Sequence, residues 1–79
     1  MQIQVRLYGT LGSHLPDHNR LTGMVVEIPE GSNVGDLIDH LAVSRKKVGI
    51  VTVDGTLVKK SKTLFSGNFV RMYIPISGG

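Results

Sequence analysis

The run Met24-Val25-Val26-Glu27-Ile28-Pro29-Glu30-Gly31-Ser32-Asn33-Val34-Gly35-Asp36-Leu37-Ile38-Asp39-His40-Leu41 changes its hydrophobic period part-way along. Met24, Val26 and Ile28 alternate with their neighbours, which predicts a half-buried strand ended by Pro29-Glu30-Gly31. Ser32 and Asn33 then stand where a helix N-cap belongs, and Asp36 lies three residues after Asn33. A short carboxylate there suits the free N–H groups at the positive end of a helix dipole. Val34, Leu37, Ile38 and Leu41 follow at helical spacing and predict a short amphipathic helix over about residues 34–42. Gly35 weakens it by roughly 1 kcal/mol relative to alanine, so packing must hold it rather than propensity.

Working outward, Ile3, Val5 and Leu7 alternate with Gln2, Gln4, Arg6 and Tyr8, a first strand. Gly9 to Gly23 carries Gly12, Pro16, Asp17 and Asn19, a loop too long for a tight hairpin. The second strand should run antiparallel to the first. Downstream, Arg45-Lys46-Lys47 after Ser44 reads as an extra turn, and Ile50, Val51 and Val53 as a third strand. Asp54-Gly55 predicts a type I′ hairpin into a short strand around Leu57 and Val58. Lys59, Lys60 and Lys62 suit a solvated edge. Ser66-Gly67-Asn68 turns the chain into a last strand, Phe69 to Ile74. Val70, Met72 and Ile74 take one face of it; Phe69, Arg71 and Tyr73 take the other.

The order β-β-α-β-β-β predicts an α+β domain, a mixed sheet of about four to five strands with the one main helix packed on one face. That is the ubiquitin-like β-grasp arrangement, with the first and last strands parallel neighbours at the centre. The expected organisation is a domain over residues 1–74 and a flexible C-terminal diglycine tail over 75–79.

The 79 residues carry nine basic and six acidic side chains, a net charge of +3. That excess is mild and well short of a polybasic arm, which argues against nucleic acid as the partner. Without cysteine, disulfides, thiolate metal sites and cysteine nucleophiles are excluded. Met1-Gln2-Ile3-Gln4 is neither a basic leader nor an apolar span, so no signal peptide or membrane segment is expected and the compartment should be the cytoplasm.

Catalytic constellations are hard to find. His14, His18 and His40 have no metal-ligand spacing and read as solvated surface, so no metal is expected. Gly9-Thr10-Leu11-Gly12 lacks the later glycine and lysine of a phosphate-binding loop, and Thr52 and Ser61 have no base beside them. Asp36 and Asp39 suit capping and solubility.

Two features remain. With first and last strands adjacent, Arg6 and Tyr8 lie beside Arg71 and Tyr73, with Phe69 nearby. Arginines interleaved with aromatics suit partner docking. They also occur on ordinary exposed sheet faces, and the same mixture can stack single-stranded nucleic acid. The second feature is Ile74-Pro75-Ile76-Ser77-Gly78-Gly79. The last four residues can extend about 13 Å at roughly 3.3–3.6 Å each. Gly78 and Gly79 carry no side chain and can thread a narrow channel. Frayed small residues at a terminus, or a cloning remnant, are the plainer account of the same residues.

The chain resembles the MoaD/ThiS-type sulfur carriers. The resemblance is carried by Val5-Arg6-Leu7-Tyr8-Gly9, by Ile28 to Ile38, by Val53-Asp54-Gly55, by Leu64 to Val70 and by the Ile74 to Gly79 ending. The proline before the tail, the chain length and the long loop after strand one are closer to the small subunit of molybdopterin synthase than to the thiamine-pathway carrier. The resemblance implies a carrier, not an enzyme. An ATP-dependent, ubiquitin-activating-like enzyme would adenylate the Gly79 carboxylate. Sulfur would then replace AMP to give a thiocarboxylate, delivered most naturally for molybdopterin, alternatively for thiamine or another metabolite. It also implies a tail of Pro75, Ile76, Ser77, Gly78 and Gly79 threading the partner's site, with Tyr8 and Tyr73 docking those partners. No cofactor would be bound to the carrier itself. The partners implied are the adenylating enzyme and a sulfur acceptor such as the synthase large subunit or thiazole synthase. A ubiquitin-like modifier that joins Gly79 to lysines is the competing reading. Gly12-Ser13-His14, Asp54 and Asn68 depart from the family pattern, in which asparagine is frequent at position 54 and aspartate usual at 68.

Overall fold

Ile3, Val5 and Leu7 turn inward from strand β1 (Gln2–Leu7) while Gln2 and Gln4 face out, as their alternation predicts. The computed structural model describes residues 1–75. After β1 come β2 (Met24–Glu27), helix α1 (Val34–His40), a 3-10 turn at Arg45–Lys47, β3 (Val51–Val53), β4 (Thr56–Val58) and β5 (Phe69–Met72). The five strands form one sheet in the order β2-β1-β5-β3-β4. β1 runs antiparallel to β2 and parallel to β5, with Val5 opposite Val70 and Leu7 opposite Met72. The fold is the ubiquitin-like β-grasp. No helix among the described residues is long and apolar enough to cross a membrane.

α1 lies over one sheet face. Val34, Leu37, Ile38 and Leu41 meet Ile3, Val5, Val51, Val70 and Met72 in one buried cluster. Each such side chain contributes about 1.5–3 kcal/mol on burial. A seven-residue helix has little stability of its own, and its ends supply the rest. Asn33 Oδ1 accepts from the Asp36 N–H at 2.8 Å, and Asp36 Oδ2 accepts from the Asn33 N–H at 2.9 Å. This reciprocal cap is the one expected at Asn33. Two further free donors are taken from outside the helix. The Val34 N–H donates to the Lys62 carbonyl at 3.0 Å and the Gly35 N–H to the Lys60 carbonyl at 2.8 Å.

The helix ends at His40, two residues before the expected limit, because Ala42 turns left-handed at φ 57°. The Ala42 N–H then reaches the Asp39 carbonyl and the Val43 N–H the Ile38 carbonyl, the Schellman pattern that closes a helix. Gly35 is buried beneath the Arg45 guanidinium, which pairs with both carboxylate oxygens of Asp39 at 3.0 and 2.8 Å.

Asp54 and Gly55, at φ 49° and 86°, form the expected two-residue hairpin between Val53 and Thr56. Two of the three departures from the family pattern prove to be partners: Asn68 Nδ2 donates to Asp54 Oδ2 at 2.7 Å. Asp54 Oδ1 accepts from the Phe69 N–H at 2.9 Å, so this pair ties the hairpin to the start of β5.

Three strand ends differ from expectation. Ile28 lies beyond β2, although it stays buried and its N–H donates to the Met1 carbonyl. Ile50 precedes β3 and is 41% exposed. β5 stops at Met72, and Ile74, expected on the core face, is 48% exposed.

Candidate functional site

Arg6 and Arg71 sit directly opposite one another on the parallel strands β1 and β5, on the sheet face away from α1. Tyr8 and Tyr73 continue the two rows. Their rings stack with centroids 4.4 Å apart and planes 14° from parallel. The Arg6 guanidinium carbon lies 4.5 Å from the Tyr8 ring centre, and that of Arg71 lies 4.0 Å from the Phe69 ring centre. Each such contact contributes on the order of 0.5–1 kcal/mol at an exposed site and holds the guanidinium flat on the sheet. The five residues singled out as a docking group thus form one half-buried patch.

Among the described residues, charge within the patch is uncompensated. Among the described residues the ion pairs are Met1–Glu27 and Arg45–Asp39, and neither involves Arg6 or Arg71. Strand register adds apolar members that motif reading missed. Val25 pairs with Gln4 at one side of the face, and Leu57 pairs with Thr52, itself opposite Arg71, at the other. Val25 and Leu57 are 61% and 67% exposed. The signal was present as apolar residues on the outward phase of their strands.

Past Met72 the chain is held by backbone bonds on both sides. The Tyr8 N–H donates to the Met72 carbonyl at 3.0 Å, the Gly49 N–H to the Tyr73 carbonyl at 2.8 Å, and the Tyr73 N–H to the Ile50 carbonyl at 2.9 Å. Ile74 and Pro75 then pass between two glycines. A β-carbon on Gly9 would stand 3.2 Å from Ile74 Cγ2, and one on Gly49 would stand 2.6 Å from Pro75 Cα. Gly9 is also left-handed, at φ 63°. Gly9 and Gly49 therefore fix the direction in which the chain leaves the body, a role that no spacing in the sequence advertises. Ile76, Ser77, Gly78 and Gly79 lie outside the described residues.

Two of the histidines expected at the solvated surface make specific contacts. His18 Nε2 accepts from the Leu7 N–H at 2.9 Å, just beyond the point where β2 stops pairing with β1. The proton of the neutral ring is therefore on Nδ1. Burial, and then the Arg6 charge, hold the His18 pKa below its ordinary value of 6.5. His14 Nε2 lies 3.1 Å from the Leu41 carbonyl. Among the described residues no three His, Cys, Asp or Glu side chains are grouped to hold a metal ion.

The sequence profile of the family described as Mut7-C ubiquitin matches residues 1–77. No curated protein matches the chain. Among solved structures, SAMP1 from Haloferax volcanii superposes with a TM-score of 0.70 at 16% identity, covering 100% of both chains. The Haloferax volcanii protein HVO 2177 gives 0.71 at 20% identity, covering 100% of this chain and 87% of that one. A chain from the complex of subunits 1 and 2 of molybdopterin-converting factor from Helicobacter pylori gives 0.61 at 16% identity, with 100% of both chains covered. At such identities these likenesses establish a shared fold.

Proposed function

The chain belongs to the Mut7-C ubiquitin family, a ubiquitin-like β-grasp, and from that premise we propose that it is a sulfur carrier whose reactive group is the carboxylate of Gly79. The observation that carries this reading is the exit of β5. The chain leaves the sheet bonded on both sides and passes between Gly9 and Gly49, beside the Arg6–Tyr8–Tyr73–Arg71–Phe69 patch. A body built this way holds Ile74 and Pro75, the residues that lead into the tail, beside a docking face.

The chemistry requires activation because a carboxylate oxygen is a poor leaving group. A carboxylate oxygen of Gly79 attacks the α-phosphorus of ATP on the partner enzyme, and pyrophosphate leaves. Sulfide then adds to the acyl carbon, AMP leaves, and a thiocarboxylate remains; a persulfide donor would first give an acyl disulfide, which a second thiol cleaves to the thiocarboxylate and a disulfide. The reacting groups other than the carboxylate belong to the partner, so the carrier acts as a substrate and binds no cofactor of its own. Gly78 and Ser77 let the tail enter a narrow channel. Ordering the tail there opposes binding by about 1–2 kcal/mol per residue. Ile74, Pro75 and Ile76 and the aromatic patch offset that cost by burying apolar surface. The subunit 1–subunit 2 complex with the same fold supports a molybdopterin-converting large subunit as the acceptor.

Incubation with a ubiquitin-activating-like enzyme, ATP and a sulfur donor should raise the intact mass by the difference between sulfur and oxygen. The increment should be lost on deleting Gly79. An unchanged mass with every such enzyme tried would count decisively against the carrier reading. A second reading, a protein modifier, draws support from the fold shared with small archaeal modifier protein 1. It predicts lysine-linked adducts that vanish with the same deletion.

A further inference from the structure

A concavity of about 560 Å3 opens where β1 gives way to the long loop, and Arg6, Arg20, His18, Tyr8, Thr10 and Ser13 contribute to its wall. Its volume lies in the range of small-molecule sites. Among the described residues no carboxylate lines it, whereas two arginines do, so the excess charge of its wall is positive. Arg6 Nε is buried with no acceptor among the described residues, a costly state for a charged donor.

The walls are also braced. The Leu7 N–H fixes the His18 ring from one side, and Gly12 lies so close on the other that a β-carbon there would stand 2.6 Å from Nδ1. Arg20 sits in a turn pinned by Asn19. Asn19 Oδ1 accepts from the Leu21 and Thr22 N–H groups at 2.8 and 3.0 Å, and Asn19 and Gly23 exchange backbone bonds at 3.1 and 2.7 Å. The side chains that would grip a ligand thus come from backbone positions already in place.

From this arrangement we propose that the concavity binds the phosphate of a small phosphomonoester. Two guanidinium forks match a dianion better than a carboxylate, which offers one charge and two oxygens. Hydroxyls of Thr10 and Tyr8 supply further donors, and the apolar wall of Leu7 and Leu15 leaves room for the organic part. The proposal is independent of the fate of Gly79.

The test is a titration of the 15N-labelled full chain with inorganic phosphate and with glycerol 3-phosphate, at constant ionic strength balanced with chloride. Saturable amide shifts confined to residues 6–13 and 18–20 are expected. Arg20→Gln, in a turn that Asn19 holds, should weaken binding about tenfold. Arg6→Gln should act likewise, its amide spectrum reporting whether the fold persists. Lys59→Gln, just past β4 and three strands away from β1 in the sheet, should leave affinity within about twofold. The proposal is overturned by shifts that do not saturate, by an Arg20→Gln variant that binds as well as the parent, or by equal affinity for dimethyl phosphate. The last outcome would point to a nucleic-acid backbone instead, since a diester carries one charge.

Discussion

Replacing Gly49 with alanine tests whether the chain exit is held by close backbone contact. The new β-carbon would stand 2.6 Å from Pro75 Cα and 2.9 Å from Pro75 N, both main-chain atoms. Ordinary contact lies near 3.5 Å, so the exit must retreat by about 1 Å or the bond from the Gly49 N–H to the Tyr73 carbonyl must stretch. Overpacking of this kind costs about 1–3 kcal/mol. Gly49 has no left-handed φ, so alanine is conformationally acceptable and returns about 0.4–1 kcal/mol through the unfolded chain. The net expectation is a loss of about 0–2.6 kcal/mol, up to several degrees in Tm for a domain this small. Urea unfolding gives the stability, and the thiocarboxylate mass assay gives the yield per unit time. Misplacing the exit should slow thiocarboxylate formation more than the stability loss explains, because positional errors of this size reduce rates by up to about a hundredfold. Gly67→Ala is the control. Its β-carbon meets nothing within 4 Å, but its φ of 88° makes alanine strained, so it should lose stability without slowing transfer. A Gly49→Ala protein with parental stability and rate would show that the exit is not gripped there.

Asp54→Asn alone should cost about 1–3 kcal/mol in urea unfolding, since it weakens the acceptor for Asn68 Nδ2 and the Phe69 N–H. The double change Asp54→Asn with Asn68→Asp should recover most of it; a double variant no better than the sum of its parts would remove the pairing argument. Ala42→Gly should stabilise by about 1 kcal/mol, because φ 57° in the Schellman turn suits glycine, and an unchanged denaturation midpoint would contradict that. His18 has a folded pKa below 6.5, so the unfolded chain takes up its proton first as pH falls. The His18 contribution should be complete above 6.5 and decline as pH drops through 6.5 toward the folded value. His18→Gln, whose amide oxygen can still accept from the Leu7 N–H, should flatten that part of the stability–pH curve; an unaltered slope would mean another group sets it.

Much of the fold was legible because its signals are local. Alternation in Ile3-Gln4-Val5-Arg6-Leu7, the Asn33–Asp36 cap and the Asp54-Gly55 turn each declare themselves within a few residues. Parallel pairing of β1 with β5 then brings Arg6, Tyr8, Phe69, Arg71 and Tyr73 onto one face. What escaped depends on segments distant in sequence. Gly9 and Gly49 matter because Ile74 and Pro75 pass between them, and nothing near either glycine reports that. His18 reads as a loop histidine until β2 is seen to end short of Leu7. Asp54 and Asn68 looked like two unrelated departures, and only their 2.7 Å contact makes them one exchange. Helix length was overestimated because Leu41 continues the apolar spacing while the backbone has already begun to close.

The central seam of the sheet joins β1 to β5, the first and last of its five strands in chain order. Although α1 can cover Ile3, Val5 and Leu7 earlier, the edge of β1 that pairs with β5 stays open until Val70 and Met72 have been made. Distant pairing of this kind makes folding slow and leaves half-made chains exposed to aggregation and chaperone capture. A copy that ends before Phe69 lacks the strand that seals the middle of its sheet.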